Sequence, residues 1–146
     1  MSPSHDEPGD LRALAGVILW TEASRFPAML EFYRDTLALT PRSVRDDFAS
    51  FNWGSPELDA IRLNIVAHSE VRGPSRDPLR VMLNFLVDDI DATYDQLRAL
   101  GVRFLRPPTE EHFGGRIATF QDPDGNLLQL LEQPATADSP TDRRAP

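Results

Sequence analysis

Glu111 and His112 stand next to each other and are the residues of this chain best suited to acid–base chemistry. A carboxylate beside an imidazole can transfer protons near neutral pH when both groups reach the same reacting atom. A solvated turn is the simpler explanation of this acid-rich segment, and we prefer it. Glu111, His112 and, with them, Arg62 are kept as candidates for a reaction that needs no metal.

The other histidines and the missing cysteines limit what further chemistry is available. His5 lies in a polar terminal segment and His68 at the end of a predicted strand, and neither is spaced from His112 as metal ligands are. Because the sequence has no cysteine, thiolate metal sites, disulfide bonds and a cysteine nucleophile are excluded. Neither a glycine-rich nucleotide motif nor a Ser-His-Asp order occurs.

The net charge of −8 results from twenty-three acidic residues against fifteen arginines, with no lysine. Such a chain repels a phosphate backbone, so we expect no nucleic acid partner. An acidic surface attracts cationic ligands, but we prefer the simpler explanation that the charge keeps the domain soluble. No apolar stretch reaches the roughly eighteen residues of a membrane helix, and the N-terminus lacks the pattern of a signal peptide. We therefore expect a cytoplasmic protein with no membrane partner.

The elements that must position any site belong to one domain at residues 13–133. Residues 1–12 and 134–146 are polar and proline-rich, which predicts disordered tails. An Arg-, Gly- and Pro-rich connector at residues 70–79 divides the domain into modules at residues 13–69 and 80–133.

Hydrophobic periodicity predicts the same order of elements, βαβββ, in both modules. The first module has one helix and four strands: strand Ala15–Trp20, helix Phe26–Leu37, and strands Arg42–Arg45, Phe48–Trp53 and Ala60–His68. The second module follows the same scheme: strand Val81–Val87, helix Ile90–Leu100, and strands Val102–Leu105, Arg116–Gln121 and Leu127–Glu132. Tyr33 and Leu39 precede Tyr94 and Leu100 by sixty-one residues, which also indicates two fused copies of one unit. The predicted fold class is α+β.

Three motifs in this order resemble the vicinal oxygen chelate superfamily, which includes glyoxalases, extradiol dioxygenases and bleomycin-resistance proteins. They are Phe-Tyr-Arg-Asp-Thr-Leu-Ala-Leu at residues 32–39, Val-Asp-Asp-Ile-Asp at residues 87–91, and the hairpin signal Asp-Pro-Asp-Gly-Asn at residues 122–126. Ala38 stands where the family usually has glycine. The resemblance covers residues 13–133 and implies two tandem modules whose curved sheets enclose a cleft, in a protein that forms a homodimer.

The resemblance also implies where a metal would bind, at four side chains on the first and fourth strands of each module. These positions fall on Gly16, on Arg62 or Asn64, on Met82 and on Gln129. Divalent cations prefer imidazole nitrogen or anionic oxygen, and an arginine repels them. We therefore expect no metal and no other cofactor.

A cleft with apolar walls and a few amides is suited to bind a flat organic molecule. The expected ligand-binding residues are Ile18, Trp20, Trp53, Asn64, Met82, Asn84, Phe113 and Gln129. We predict that the protein binds a small aromatic or cationic organic molecule, with both tryptophans stacked on it. One alternative is an enzyme of the same fold, a lyase, isomerase or dioxygenase with a displaced metal site or metal-free acid–base chemistry. Another is a subunit that only contacts other proteins.

Overall fold

The chain forms two four-stranded sheets, one from each half of the sequence. The computed structural model describes residues 8–53 and 61–135. The strands are β1 (Gly16–Thr21), β2 (Pro41–Arg45), β3 (Phe48–Trp53), β4 (Ile61–Ala67), β5 (Met82–Leu86), β6 (Phe104–Glu110), β7 (Arg116–Gln121) and β8 (Leu127–Glu132). The helices are α1 (Phe26–Glu31), which continues as a π-helical segment (Phe32–Thr36), and α2 (Ile90–Ala99), with 3-10 turns at Ala23–Arg25 and Pro78–Arg80. This order confirms the predicted α+β fold with two tandem βαβββ modules.

The two sheets have the same strand order, β1-β4-β3-β2 and β5-β8-β7-β6. The first strand of each module pairs in parallel with the fourth strand, and the other pairs are antiparallel. Ile18 lies opposite Asn64 in the first sheet, and Asn84 lies opposite Gln129 in the second. The β1–β4 pair of the first module therefore has an equivalent in the β5–β8 pair of the second module.

One hydrophobic core lies between the helices and one face of each sheet, which we call the helix face. Its largest fully buried side chains come from α1, α2 and both sheets. They include Met29, Tyr33, Phe51, Ile65, Ile90, Phe120 and Leu128. The helices cover only this side of each sheet, and we call the opposite side the open face. Among the described residues, no helix is both long and apolar enough to cross a membrane.

Strand β6 departs most from the sequence prediction, which placed it at Val102–Leu105. It begins at Phe104 and runs through Pro107 and Pro108, with shifts in its pairing to β7 on both sides of Arg106. A proline cannot donate a hydrogen bond to a neighbouring strand, but β6 is an edge strand and needs donors on one side only. The prolines therefore lie in the strand instead of ending it.

The Asp-Pro-Asp-Gly-Asn turn at residues 122–126 connects the second module to the first. Tyr33 donates its hydroxyl hydrogen bond to Asp122 Oδ2 at 2.7 Å, across eighty-nine residues of sequence. Thr21 Oγ1 donates to Asp124 Oδ2 at 2.7 Å, and Arg25 Nε donates to Asp124 Oδ1 at 2.6 Å. The sequence indicated only a hairpin here; the structure shows that the same turn joins the modules.

Asp122 and Tyr33 are both buried, and burial changes how they ionise. Burial raises the pKa of Asp122, and four hydrogen bonds to its carboxylate, from the side chains of Tyr33 and Asn126 and from the backbone N–H groups of Asp124 and Asn126, oppose that rise. Burial, followed by the nearby charge of Asp122, raises the pKa of Tyr33 well above its usual range. Tyr33 is therefore a neutral donor under ordinary conditions.

Candidate functional site

The side chains of β1 alternate between the two faces of its sheet. Val17 and Leu19 pack against the core, whereas Ile18 and Trp20 lie on the open face and are each nearly half exposed. Gly16 belongs to the same face as Ile18. Strand β1 therefore presents one glycine and two large apolar side chains to the site.

Gly16 is a glycine because β1 and β4 approach closely at this point. A β-carbon built at Gly16 would overlap the backbone carbonyl oxygen of Arg62, its register partner. Any other residue here would push the two strands apart. The position at which the resemblance implies a histidine ligand thus has no room for a side chain.

Asn64 occupies the middle of the open face of the first sheet, between Ile18 on β1 and Ser50 on β3. Asn64 Oδ1 and Ser50 Oγ are both buried, and neither has a hydrogen-bond partner among the described residues. Buried polar atoms are nearly always paired, because an unpaired one costs about 1–3 kcal/mol. The middle of the open face of the first sheet is therefore polar and not fully hydrogen-bonded by the described residues.

The open face of the second sheet repeats this arrangement with other side chains. Gln129 lies between Asn84 on β5 and Thr119 on β7, in the positions that Asn64, Ile18 and Ser50 hold in the first sheet. Met82 is partly buried at the start of β5. The second module therefore offers two amides and a thioether, all uncharged.

The four positions at which the resemblance implies metal ligands do not fit a divalent cation. Glycine has no ligating side chain, arginine is cationic, and the amide and thioether groups are weak donors for such ions. Within residues 8–53 and 61–135, no three His, Cys, Asp or Glu side chains converge as a cation site. Glu132, the acid nearest to Gln129 in sequence, instead accepts a hydrogen bond from the backbone N–H of Ile90 at 3.0 Å, at the start of α2.

A pocket of about 340 Å³ lies where the two modules meet, and we call it the junction pocket. It brings together Trp53, Arg62 and Asn84, three residues that the sequence analysis selected. Its other walls are apolar and come from both modules: Val17, Ile61, Leu63, Leu83, Phe85 and Leu86. The rings of Trp53 and Phe85 are 6.0 Å apart between centroids and form one aromatic side of the pocket.

Trp20 and Trp53 do not share a pocket. Trp53 lies on the helix face of β3, the same face as Phe51. Trp20 lies on the open face of β1. Trp20 borders a different cavity of about 380 Å³, formed with residues 70–76 of the connector and with Asp124 and Asn126. This placement corrects the expectation that both tryptophans stack on one ligand.

Glu111, His112 and Phe113 lie in the tight loop between β6 and β7. Arg106 donates to Glu111 Oε2 at 2.8 Å, so the Glu111 carboxylate already has a cationic partner. His112 is exposed, and its ring packs edge-on against Phe113, with 6.1 Å between centroids. None of the three lines the junction pocket.

Sequence reasoning missed Phe85 and Leu83 as pocket residues, and it missed Ser50. The strand β5 was assigned correctly, and its alternation placed Phe85 and Leu83 on the helix face. What no local pattern shows is that the helix face of β5 opens beside Trp53 at the junction of the modules. A β-strand period also cannot reveal that the Ser50 hydroxyl lacks a partner.

The doubled βαβββ architecture is typical of one class of proteins, and comparison with known sequences identifies that class. The model of the Glyoxalase/Bleomycin resistance protein/Dioxygenase superfamily matches residues 23–130. The chain therefore belongs to this superfamily.

Individual relatives support the same assignment. The chain is 30% identical over 116 residues to the uncharacterized protein YraH of Bacillus subtilis (strain 168), an alignment that covers 73% of this chain and 89% of YraH. A glyoxalase/dioxygenase from Nostoc punctiforme has a TM-score of 0.69 at 21% identity, covering 92% of this chain and 99% of that one. A glyoxalase/bleomycin resistance protein/dioxygenase from Nocardioides has a TM-score of 0.64 at 22% identity, covering 89% of this chain and 88% of that one. At these identities the two structures show the fold alone.

Proposed function

We propose that this protein binds a small aromatic organic molecule in the junction pocket, without a metal, and holds it by stoichiometric sequestration. The observation that carries the proposal is the convergence of Trp53, Arg62 and Asn84 at an otherwise apolar pocket of about 340 Å³. Ligand sites are typically concave and mostly apolar, with a few polar groups that fix orientation. The junction pocket has this composition, at the lower end of the usual size range.

The aromatic character of the ligand is supported by the Trp53 and Phe85 rings. They are tilted by 46° to each other, which leaves the exposed part of Trp53 available to a further ring. Aromatic pairs contribute about 0.5–1.5 kcal/mol beyond the burial of their area. A flat ring system gains this pair energy against Trp53, and it gains apolar burial against Leu63 and Leu83.

Asn64 does not line the junction pocket, although it lies only two residues from Arg62 on β4. Its side chain is on the open face, whereas Trp53 and Phe85 lie on the helix faces. Its unpaired Oδ1 atom therefore carries no part of the proposal.

The charges of the residues that line the pocket support an aromatic ligand more than a cationic one. The described residues that line it include one arginine and no carboxylate. A preference for cations would rest on the net charge of −8 alone, and charges farther away than about 8–10 Å are largely screened at physiological salt. We therefore retain the aromatic part of the prediction and set the cationic part aside.

Binding is favoured over acid–base catalysis because the candidate pair does not lie at the pocket. Glu111 is paired with Arg106, and His112 lies in the same hairpin loop. A general base must come within hydrogen-bond reach of the proton that it removes. A ligand in the junction pocket is beside Arg62 and Asn84 instead.

The test is a screen of neutral and charged aromatic compounds by thermal unfolding, followed by tryptophan fluorescence. A ligand that binds only the folded protein raises its apparent Tm. The chain has two tryptophans, so Trp53→Phe and Trp20→Phe each leave one fluorophore. We expect a bound aromatic compound to change the fluorescence of Trp20→Phe, which retains Trp53, and to leave that of Trp53→Phe nearly constant. A response confined to Trp20 would place the ligand elsewhere and refute the proposal.

A further inference from the structure

We infer that the ligand of the junction pocket is an aromatic acid whose carboxylate binds Arg62. This inference rests on the proposed function and names its ligand class. Arg62 is exposed at the pocket, and its guanidinium has no ion pair or side-chain hydrogen bond within residues 8–53 and 61–135. By contrast, Arg25, Arg106 and Arg116 are each paired with a carboxylate.

The backbone of Arg62 is held firmly, although its side chain has no polar partner among the described residues. Its N–H donates to the carbonyl oxygen of Ala15 at 3.1 Å, and β4 is an interior strand flanked by β1 and β3. Gly16, its register partner, lets β1 approach without a side chain of its own beside Arg62. The guanidinium therefore extends from a fixed backbone position, and its register partner Gly16 places no side chain beside it.

The surroundings of Arg62 favour an anion with an apolar body. A guanidinium binds a carboxylate through two parallel N–H···O hydrogen bonds, and these are stronger where apolar walls exclude water. Asn84, on the opposite module, adds an amide that can donate a further hydrogen bond. The rest of the ligand then packs against Trp53, Phe85 and the leucines. These side chains contact rings favourably and offer no partner for a second charge.

The acidic surface does not oppose such a ligand strongly. The net charge of −8 is spread over the whole chain, and at physiological salt the Debye length is about 8 Å. The Arg62 contact acts at hydrogen-bond distance, inside that length. We therefore expect the local arginine to decide which ligand charge is accepted.

The experiment compares three ligands of the same shape by calorimetric titration: 2-naphthoate, 2-naphthamide and 2-naphthylmethylammonium. We expect wild-type protein to bind 2-naphthoate most tightly. Arg62→Gln should weaken 2-naphthoate on the order of tenfold or more, as the loss of a charge-assisted hydrogen bond requires, and change 2-naphthamide less than about twofold. Arg42→Gln is the matched control, because it removes the same charge from an exposed position on β2 of the same sheet, away from the pocket. It should leave all three affinities unchanged.

The possible results separate the inference from the proposed function. If Arg62→Gln and Arg42→Gln weaken 2-naphthoate equally, or if the ammonium compound binds more tightly than the acid, the Arg62 assignment is overturned while aromatic binding stands. If none of the three compounds binds wild-type protein, the proposed aromatic site itself fails. An unchanged Tm of Arg62→Gln without ligand verifies that the variant is folded, since Arg62 is exposed.

Discussion

The hydroxyl of Tyr33 offers a direct measure of how strongly the two modules are coupled. Tyr33→Phe removes one hydrogen bond of 2.7 Å to Asp122 and leaves the buried ring in place. Asp122 Oδ2 keeps its second donor, Asn126 Nδ2 at 2.8 Å, so the carboxylate is not left without a partner on that side. Hydrogen bonds to charged groups contribute about 1.5–3 kcal/mol. We expect a loss of about 2 kcal/mol in the free energy of unfolding, or about 4–8 °C in Tm for a chain of this size.

The assay is urea unfolding at pH 7, followed by tryptophan fluorescence. Tyr94→Phe is the control, because Tyr94 lies at the equivalent place in the sequence repeat and its ring packs against Phe104. No hydroxyl hydrogen bond of Tyr94 occurs within the described part of the chain, so this variant should change stability by less than about 0.5 kcal/mol. Equal losses in the two variants would refute the coupling that we derive from Asp122.

The same variant also tests the ionisation of Asp122. Burial raises the folded-state pKa of Asp122 above its ordinary value of 3.8, so its contribution to stability is fully present below that value and is lost as pH rises through the folded pKa. Tyr33→Phe removes a donor to the charged form and raises the folded pKa further. The stability difference between wild type and Tyr33→Phe should therefore be largest at pH 7 and shrink as pH falls toward the raised pKa. A difference that grows on acidification would contradict the assigned cause.

Three further predictions follow from backbone geometry and from the site. Ala38 has a φ of 59°, a left-handed conformation that costs alanine about 1–2 kcal/mol. Glycine relieves this strain but loses more chain entropy on folding. Ala38→Gly should therefore raise the free energy of unfolding by about 0.5–1 kcal/mol. Ala92→Gly in α2 should lower it by about 0.5–1 kcal/mol in the same urea assay, which distinguishes relief of strain from a general effect of glycine. Gly16→Ala should lower the free energy of unfolding by about 1–3 kcal/mol, because the added β-carbon meets the Arg62 carbonyl. Gly9→Ala is the control and should be neutral, because Gly9 has open space around it. Comparable Tm values for the two variants would show that the strands separate freely. Protein stripped with a chelator should have the same Tm with and without Zn²⁺, Ni²⁺, Mn²⁺ or Fe²⁺, and a rise of several degrees with one of them would establish a metal site.

The sequence predicts the fold well because its signals are local. Hydrophobic periodicity identified β1 and the other strands, and the Asp-Pro-Asp-Gly-Asn turn located the last hairpin. The face of Trp53 was harder to assign, because aromatic residues occur on both faces of β3, at Phe48 and Phe51. A two-residue period alone gives no rule for choosing between them.

The parts of the site that the sequence did not predict depend on contacts between distant residues. Asp122 and Asp124 are typical turn residues, and their burial follows only once Tyr33 and Arg25 are brought to them across the modules. The junction pocket likewise forms where β5 meets β3 and β4. Such juxtapositions leave no periodic trace in either strand, so physical reasoning from one sequence does not reach them.

The close approach of β1 to β4 at Gly16 has a consequence for how this protein can evolve. A substitution that introduced histidine at position 16 would add a metal ligand only if the two strands first separated around the Arg62 carbonyl. Removal of the Arg62 charge would not provide that space, because the obstacle is backbone. A histidine ligand at position 16 therefore requires a compensating change in the packing of β1 against β4, and a single substitution there does not supply it.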